Sequence, residues 1–259
     1  MDKQAAYSDE GTTYLDTQVE IGISKHMGGY AATDKLYELC HVSEAKTALE
    51  VGCGIGVGPV HLARSCNCHV TAVDISEKML EWARLRAVRE KLTDRISLQQ
   101  ADILDLPFED NSFDAVIAES VLDFVSDKRK AINELIRVTQ PGGYIGLNES
   151  YWTKIPPENA IKVTLGADIL TLEQWQGLWS DLPLVNTRIV VQELTIKQEV
   201  KDRIHWVGWR YVLHAWVRVF KLFWRNPKAV QSIKSQLSTP IDVYKSMGYA
   251  LFVGRKPEK

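Results

Sequence analysis

Residues 48–63 read ALEVGCGIGVGPVHLA, and the fold turns on them. The run TALEVG (47–52) has the length and apolar content of a short buried strand, and it empties into glycines at 52, 54, 56 and 58. Pro59 to Arg64 then begins a helical pattern, proline being tolerated where a helix starts. A strand that ends in small residues and opens a helix is the first half of a βαβ unit, and in open parallel sheets ligands sit outside the carboxyl ends of such strands. Glycine lets a chain turn tightly there and lets the backbone approach a ligand without a Cβ in the way. A dinucleotide cradle uses Gly-x-Gly-x-x-Gly, whereas these glycines occupy every second position, so a pyrophosphate site and a nicotinamide-dependent dehydrogenase are disfavoured. Four glycines directly after the acidic Glu50 favour a ligand site over a merely tight turn.

Working outward, HVTAVD (69–74) is a second strand, and Ser76 caps a helix carrying Met79, Leu80, Ala83 and Ala87. ISLQQAD (96–102) and FDAVIAE (113–119) read as third and fourth strands. Lys128 to Thr139 is helical, stops at Gln140-Pro-Gly-Gly143, and is followed by a fifth strand, YIGLNE (144–149). Alternating strands and helices predict right-handed crossovers and a doubly wound α/β sheet. Asp74 ends the second strand, 18 residues beyond Gly56, where a carboxylate can accept hydrogen bonds from vicinal ribose hydroxyls. Asp102 ends the third strand and is placed to meet the exocyclic amine of an adenine; Glu119 ends the fourth. Glu50, Asp74, Asp102 and Glu119 thus gather near one edge of one sheet.

The rest of the chain constrains this reading. Of 259 residues, 45% are hydrophobic and 25% charged, which excludes disorder and leaves ample material for a large core. A formal net charge of -2 gives no whole-chain attraction to nucleic acid. Cys66 and Cys68 lie one residue apart with no second pair of zinc-like spacing, so metal and disulfide readings are both weak. They read as surface-loop residues of a reduced, cytoplasmic protein, an expectation strengthened by the absence of an apolar leader or of a spanning segment of about 18 residues. Thr171 starts a further helix, LVNTRIVVQEL (184–194) alternates as a strand does, and GYALFVGRK (248–256) is a last strand. Residues 197–247 form an insertion before it.

Four stretches, ALEVGCGIGVGPVHLA (48–63), VTAVDISEKMLEWAR (70–84), QQADILDLPFEDNSFDAVIAESVLDFV (99–125) and ELIRVTQPGGYIGLNE (134–149), together resemble the class I S-adenosylmethionine-dependent methyltransferases. The similarity is greatest to the ubiquinone/menaquinone-biosynthesis-like group that methylates small molecules. It implies a Rossmann-like seven-stranded sheet whose last strand is antiparallel, a role that GYALFVGRK suits. It implies one methyltransferase domain over 1–259: an N-terminal helical lid segment (1–44), a cofactor-binding core (45–150) and a helical insertion (197–247). On the matching positions, Gly52, Gly54 and Gly56 would approach the methionine and ribose parts of S-adenosylmethionine. Asp74 would hold the ribose, Ile75 and Met79 would flank the adenine, and Asp102 with Ile103 would meet its edge. Glu50, before the glycines, is counted with this site, and Glu119 would lie near the methionine end. His26-Met-Gly-Gly29 resembles the lid segment of small-molecule members.

Methyl transfer is an in-line displacement in which the cofactor supplies the activation, while the protein aligns the partners and excludes water. A general base is needed only for an acceptor such as a phenol, an enol or a protonated amine. Where many relatives carry a histidine pair after strand four, this chain has Leu122-Asp123-Phe124. The candidate bases are His26, Tyr14 and Asp123; each also fits a structural role, as lid residue, packing aromatic and helix cap respectively. The expected function is methyl transfer to a small hydrophobic or anionic acceptor, releasing S-adenosylhomocysteine. The alternative is a non-catalytic cofactor-binding regulatory module.

Residues 203–225, RIHWVGWRYVLHAWVRVFKLFWR, have a helical period. Arg203, Arg210, His214, Arg218, Lys221 and Arg225 form one stripe, and Trp206, Trp209, Leu213, Trp216, Val217, Phe220 and Trp224 an apolar face beside it. From Lys201 to Lys234 only Asp202 is acidic, against eight Lys or Arg. Three roles fit: a cap packed on the sheet or across a homodimer, a lid over the acceptor, and a peripheral helix at a membrane surface.

Overall fold

The computed structural model describes residues 26–154, 167–193, 209–225, 243 and 245–258. Tyr14, most of the lid segment and much of the 197–247 insertion lie outside them.

The strands are β1 (Thr47–Val51), β2 (His69–Asp74), β3 (Ile96–Gln100), β4 (Phe113–Glu119), β5 (Thr139–Trp152), β6 (Val185–Glu193) and β7 (Met247–Arg255). They form a seven-stranded sheet in the order β3-β2-β1-β4-β5-β7-β6. The first five run parallel, and β7 lies antiparallel between β5 and β6. This is the expected doubly wound arrangement with its reversed last strand. The order of the strands reverses between the parallel neighbours β1 and β4, the switch point at whose carboxyl tips ligands bind in open α/β sheets.

The helices are α1 (Gly29–Leu39), α2 (Val57–Ser65), α3 (Glu77–Arg89), α4 (Lys128–Val138), α5 (Leu172–Ser180) and α6 (Trp209–Arg225). Ser76 caps α3 by accepting from the Met79 amide, and Asp127 caps α4 by accepting from Lys130. Thr171 and Gln174 form a reciprocal capping box at α5, satisfying two donors of its first turn. The Gln140–Gly143 segment belongs to β5 instead of preceding it; the ladder with β4 shifts register between Phe113 and Ala115, and β5 runs on to Trp152.

Alternation along each strand builds two cores. Leu49, Val51, Val116, Ala118, Ile145, Leu147 and Phe252 pack against α4 and α5. Ala48, Val70, Ala115, Ile117, Leu251 and Val253 pack on the opposite face, with α1, α2 and Ala87 of α3. A chain this alternating cannot slip by one residue without exchanging its faces.

Cys66 and Cys68 depart from expectation: both are buried, and they are joined in a disulfide with their Cα atoms 5.3 Å apart. The α2–β2 connection folds inward because the Arg95 guanidinium donates to the carbonyls of Cys66 and Cys68, at 2.7 and 3.2 Å.

Phe252 is fully buried, with the rings of Trp175 and Trp179 at 5.2 and 5.6 Å. Phe252→Ala is expected to destabilise the fold by about 3–5 kcal/mol in urea denaturation, because two tryptophan rings lose their common partner. A loss below about 1 kcal/mol would show that α5 is not part of the cooperative core.

Candidate functional site

The glycine turn is held from two sides. Gly52, Gly54 and Gly56 adopt φ of 74°, 51° and 78°, a left-handed conformation that side chains disfavour. Asp74 fixes the turn with both carboxylate oxygens: Oδ2 accepts from the Gly54 amide at 2.8 Å, and Oδ1 from the Ser76 amide at 2.9 Å. One side chain therefore ties the turn after β1 to the N-terminus of α3. The buried Arg86 of α3 donates to the Ile55 carbonyl at 3.0 Å, and a Cβ at Gly56 would strike the Ala83 backbone. A Cβ at Gly58 would collide with the carboxyl of Glu50. The alternate glycines thus serve conformation at 52, 54 and 56 and close approach at 58.

Strand periodicity sorts the carboxylates between faces. Glu50 and Glu119 share the parity of Ala48 and Ile117 and so project toward the α1–α2 side. Glu50 is buried; burial pushes its carboxyl well above the usual range, and the nearby Glu119 adds to the rise. Burial also raises Asp74, opposed by the amides it accepts from. Glu119 anchors the 26–33 segment: its carboxylate accepts from Thr33 Oγ1 at 3.0 Å and from Asn148 Nδ2 at 3.0 Å, with His26 Nε2 3.5 Å away. Asn148 also donates to the Met27 carbonyl at 2.9 Å, so the 26–33 segment is fastened to the tips of β4 and β5.

Glu149 has the parity of Ile145 and Leu147 and faces the α4–α5 side. Its Oε1 accepts from the amides of Val121 and Leu122 at 3.0 and 3.1 Å, closing the short turn Leu122–Phe124 that carries Asp123. Burial lifts Asp123 to about 7, opposed by Ser150 and Lys128, while burial and then Asp123 hold Glu149 well above the ordinary range. The two form a buried carboxyl pair with raised proton affinity, in which Asp123 exchanges its proton near neutral pH.

Five buried polar atoms at these tips have no described partner: Glu50 Oε2, Ser120 Oγ, Asp123 Oδ1, Asn148 Oδ1 and Glu149 Oε2. Ser120 among them has φ of 56°, a strained value for a residue with a Cβ. Buried polar atoms are normally satisfied, and these five belong to β1, β4, β5 and the turn after β4.

The structure brings together Glu50, Gly52, Gly54, Gly56 and Asp74, with Met79 buried and Ile75 45% exposed just beyond Asp74. Asp102 is half-buried, its Oδ1 accepting from Leu104 at 3.0 Å, and the Ile103 side chain is a core residue. His26 is buried beside Glu119. Asp123 is buried against Glu149 and caps no helix: the cap of α4 is Asp127. Sequence reasoning missed Thr33, Arg86, Asn148 and Glu149; only Glu149, a further acidic residue at a strand tip, carried a signal of the kind that found the others.

Asp123 and Glu149 bind protons more tightly in the folded chain than in an unfolded one, so what they contribute to stability is fully present below the ordinary carboxylate range and is lost, for Asp123, as pH rises through about 7. Between about pH 5 and about pH 8 this loss is on the order of 2 kcal/mol for Asp123. Asp123→Asn is expected to shrink the fall in Tm across that interval; an unchanged fall would place the titration elsewhere.

The chain matches the methyltransferase domain family over residues 49–147. It is 34% identical over 178 residues to an uncharacterised protein of Haemophilus influenzae, covering 65% of this chain and 70% of that protein. It is 27% identical over 235 residues to the 27-O-demethylrifamycin SV methyltransferase of Amycolatopsis mediterranei, covering 87% and 83%. Among solved structures it is similar to the [4+2]-cyclase SpnF, with a TM-score of 0.70 at 21% identity over 91% of this chain and 85% of that one, a likeness of fold alone. With the sheet order, the glycine turn clamped by Asp74 and these matches, the chain belongs to the class I S-adenosylmethionine-dependent methyltransferases.

Proposed function

We propose that the chain transfers a methyl group by in-line displacement from S-adenosylmethionine to a small hydrophobic or anionic acceptor, and that the acceptor enters over the tips of β4 and β5. The observation that carries this reading is the row of unpartnered buried polar atoms at the tips of β1, β4 and β5, beside the clamped glycine turn.

The residues present fit the cofactor. Asp74 retains acceptor capacity on both oxygens after its two backbone bonds, as a ribose diol requires. The exposed Ile75 and buried Met79 offer apolar flanks for a base. Glu50 and Glu119 offer carboxyl oxygens as hydrogen-bond acceptors on the side where a methionine ammonium would lie. When bound, S-adenosylmethionine supplies a methyl group already activated on a sulfonium. The chain then has to position and to exclude water. The 26–33 segment, fastened by Glu119 and Asn148, covers the α1 side of the site. On the other side, the Asp123–Glu149 pair is the group best placed to take a proton from an acceptor hydroxyl, since a base held near the working pH transfers protons efficiently. An oxygen acceptor accords with the rifamycin-type relative, whose name specifies a 27-O-demethyl substrate.

Asp74→Ala is expected to weaken S-adenosylhomocysteine binding by about 1.5–3 kcal/mol, roughly 10- to 150-fold, in calorimetry. Equal affinities would show that Asp74 organises the turn without touching the ligand. Methyl transfer itself is tested by S-adenosylhomocysteine release over a panel of phenols, hydroxylated polyketides and quinols; tight cofactor binding with no release would favour the regulatory module.

A further inference from the structure

Helix α6 has three faces, and only one of them looks inward. Ala215 is buried, and the guanidinium of Arg218 lies 4.9 Å from the ring of Trp82 on α3, so this side seats the helix on the domain. At about 100° per residue, Trp209, Leu213, Trp216, Val217 and Phe220 spread over an arc of about 100° on the side away from Ala215. They are exposed: Trp216 by 65%, Phe220 by 67% and Trp209 by 62%. Arg210 and His214, also exposed, border this arc and continue round to Arg218.

Such an arrangement is neither a core stripe nor a solvated face. A core stripe would be covered, and a solvated face would not carry two tryptophans and a phenylalanine in one contiguous patch. Charge decides between the remaining occupants. Trp209–Arg225 contains no Asp or Glu, in a chain whose 33 acidic residues exceed its 31 Lys and Arg. A second copy docked face to face would bring two basic rows together with no acidic partner on either helix. An anionic bilayer has complementary charge, and tryptophan and phenylalanine beside arginine are the composition that lies at the boundary of headgroup and acyl chain.

We propose that α6 is an interfacial helix that docks the enzyme on anionic membranes, its Trp209, Leu213, Trp216, Val217 and Phe220 entering the acyl boundary and Arg210 meeting the headgroups. The helix lies in the membrane plane and does not cross it: among the described residues no helix is long and apolar enough to span. Docking does not depend on which acceptor is methylated.

The test is co-sedimentation of the full chain with large unilamellar vesicles of phosphatidylcholine alone and of phosphatidylcholine with phosphatidylglycerol, at low and high salt. Wild type is expected to pellet with the anionic vesicles at low salt and to be released by high salt. The double variant Trp216→Ser, Phe220→Ser should partition at least about tenfold more weakly, and Arg210→Gln about fivefold more weakly. The melting temperature of both variants should stay near that of wild type, because the replaced side chains are exposed. No pelleting with anionic vesicles, or equal pelleting of wild type and the double variant, would overturn the proposal. So would a wild-type dimer that the double variant makes monomeric while neither pellets, since the face would then belong to a second copy.

Discussion

Everything at the upper rim of the sheet depends on the two hydrogen bonds of Asp74. Its carboxylate takes the Gly54 amide with one oxygen and the Ser76 amide with the other. The first bond sets the turn after β1 in its left-handed sequence of glycines; the second fixes where α3 begins. Because Ala83 and Arg86 on α3 then support the turn from behind, the clamp closes on itself. Burial alone would drive such a carboxyl toward its neutral form, and the backbone amides that oppose this are those it organises. A carboxylate already fixed in this way presents its remaining lone pairs in a set direction, which is what recognition of a diol needs.

The two-residue period of the strands turns this single rim into two chemical environments. Glu50 and Glu119 project to the face of α1 and α2, where Thr33, His26 and Asn148 gather around them. Glu149, one residue beyond Asn148, projects to the face of α4 and α5 and meets Asp123. The first group is tied to the 26–33 segment; the second is a pair of buried carboxyls with raised proton affinity. Neither assignment needs a long excursion of the chain, because β4 and β5 are adjacent and in register at Glu119 and Asn148.

Most of the sheet was legible because its strands are short apolar runs punctuated by caps and glycines. The Ser76 and Thr171 caps, the tight glycine turn and the reversed last strand all followed from local chemistry or from the resemblance it supported. What was not legible depends on distance in sequence. Thr33 and Glu119 are 86 residues apart and Asn148 and Met27 are 121 apart, and nothing local in either partner announces the other. The inward fold of Cys66 and Cys68 needed Arg95, nearly thirty residues on, to draw their carbonyls together. For α6 the periodicity was plain, but its direction was not: a helical wheel shows an apolar face without showing whether the domain covers it, and only Ala215 and the Arg218–Trp82 contact settle which side is inward.

The aromatic core behind β5 explains why the carboxyl pair behaves as it does. Trp175 donates its indole N–H to the Ser150 carbonyl at 3.0 Å, so the wall of Trp175, Trp179 and Phe252 begins directly beside Glu149 and Asp123. That wall excludes water, and exclusion of water makes ionisation of the pair unfavourable. The raised proton affinity and the stability lost as pH rises are therefore one free energy read in two ways. Relieving the pair by opening it to solvent would strengthen the fold near neutral pH and would also return Asp123 to an ordinary carboxylate, fully ionised and weakly basic. Two carboxyls kept buried against a core dense enough to tolerate them thus hold a proton affinity well above that of an exposed carboxylate.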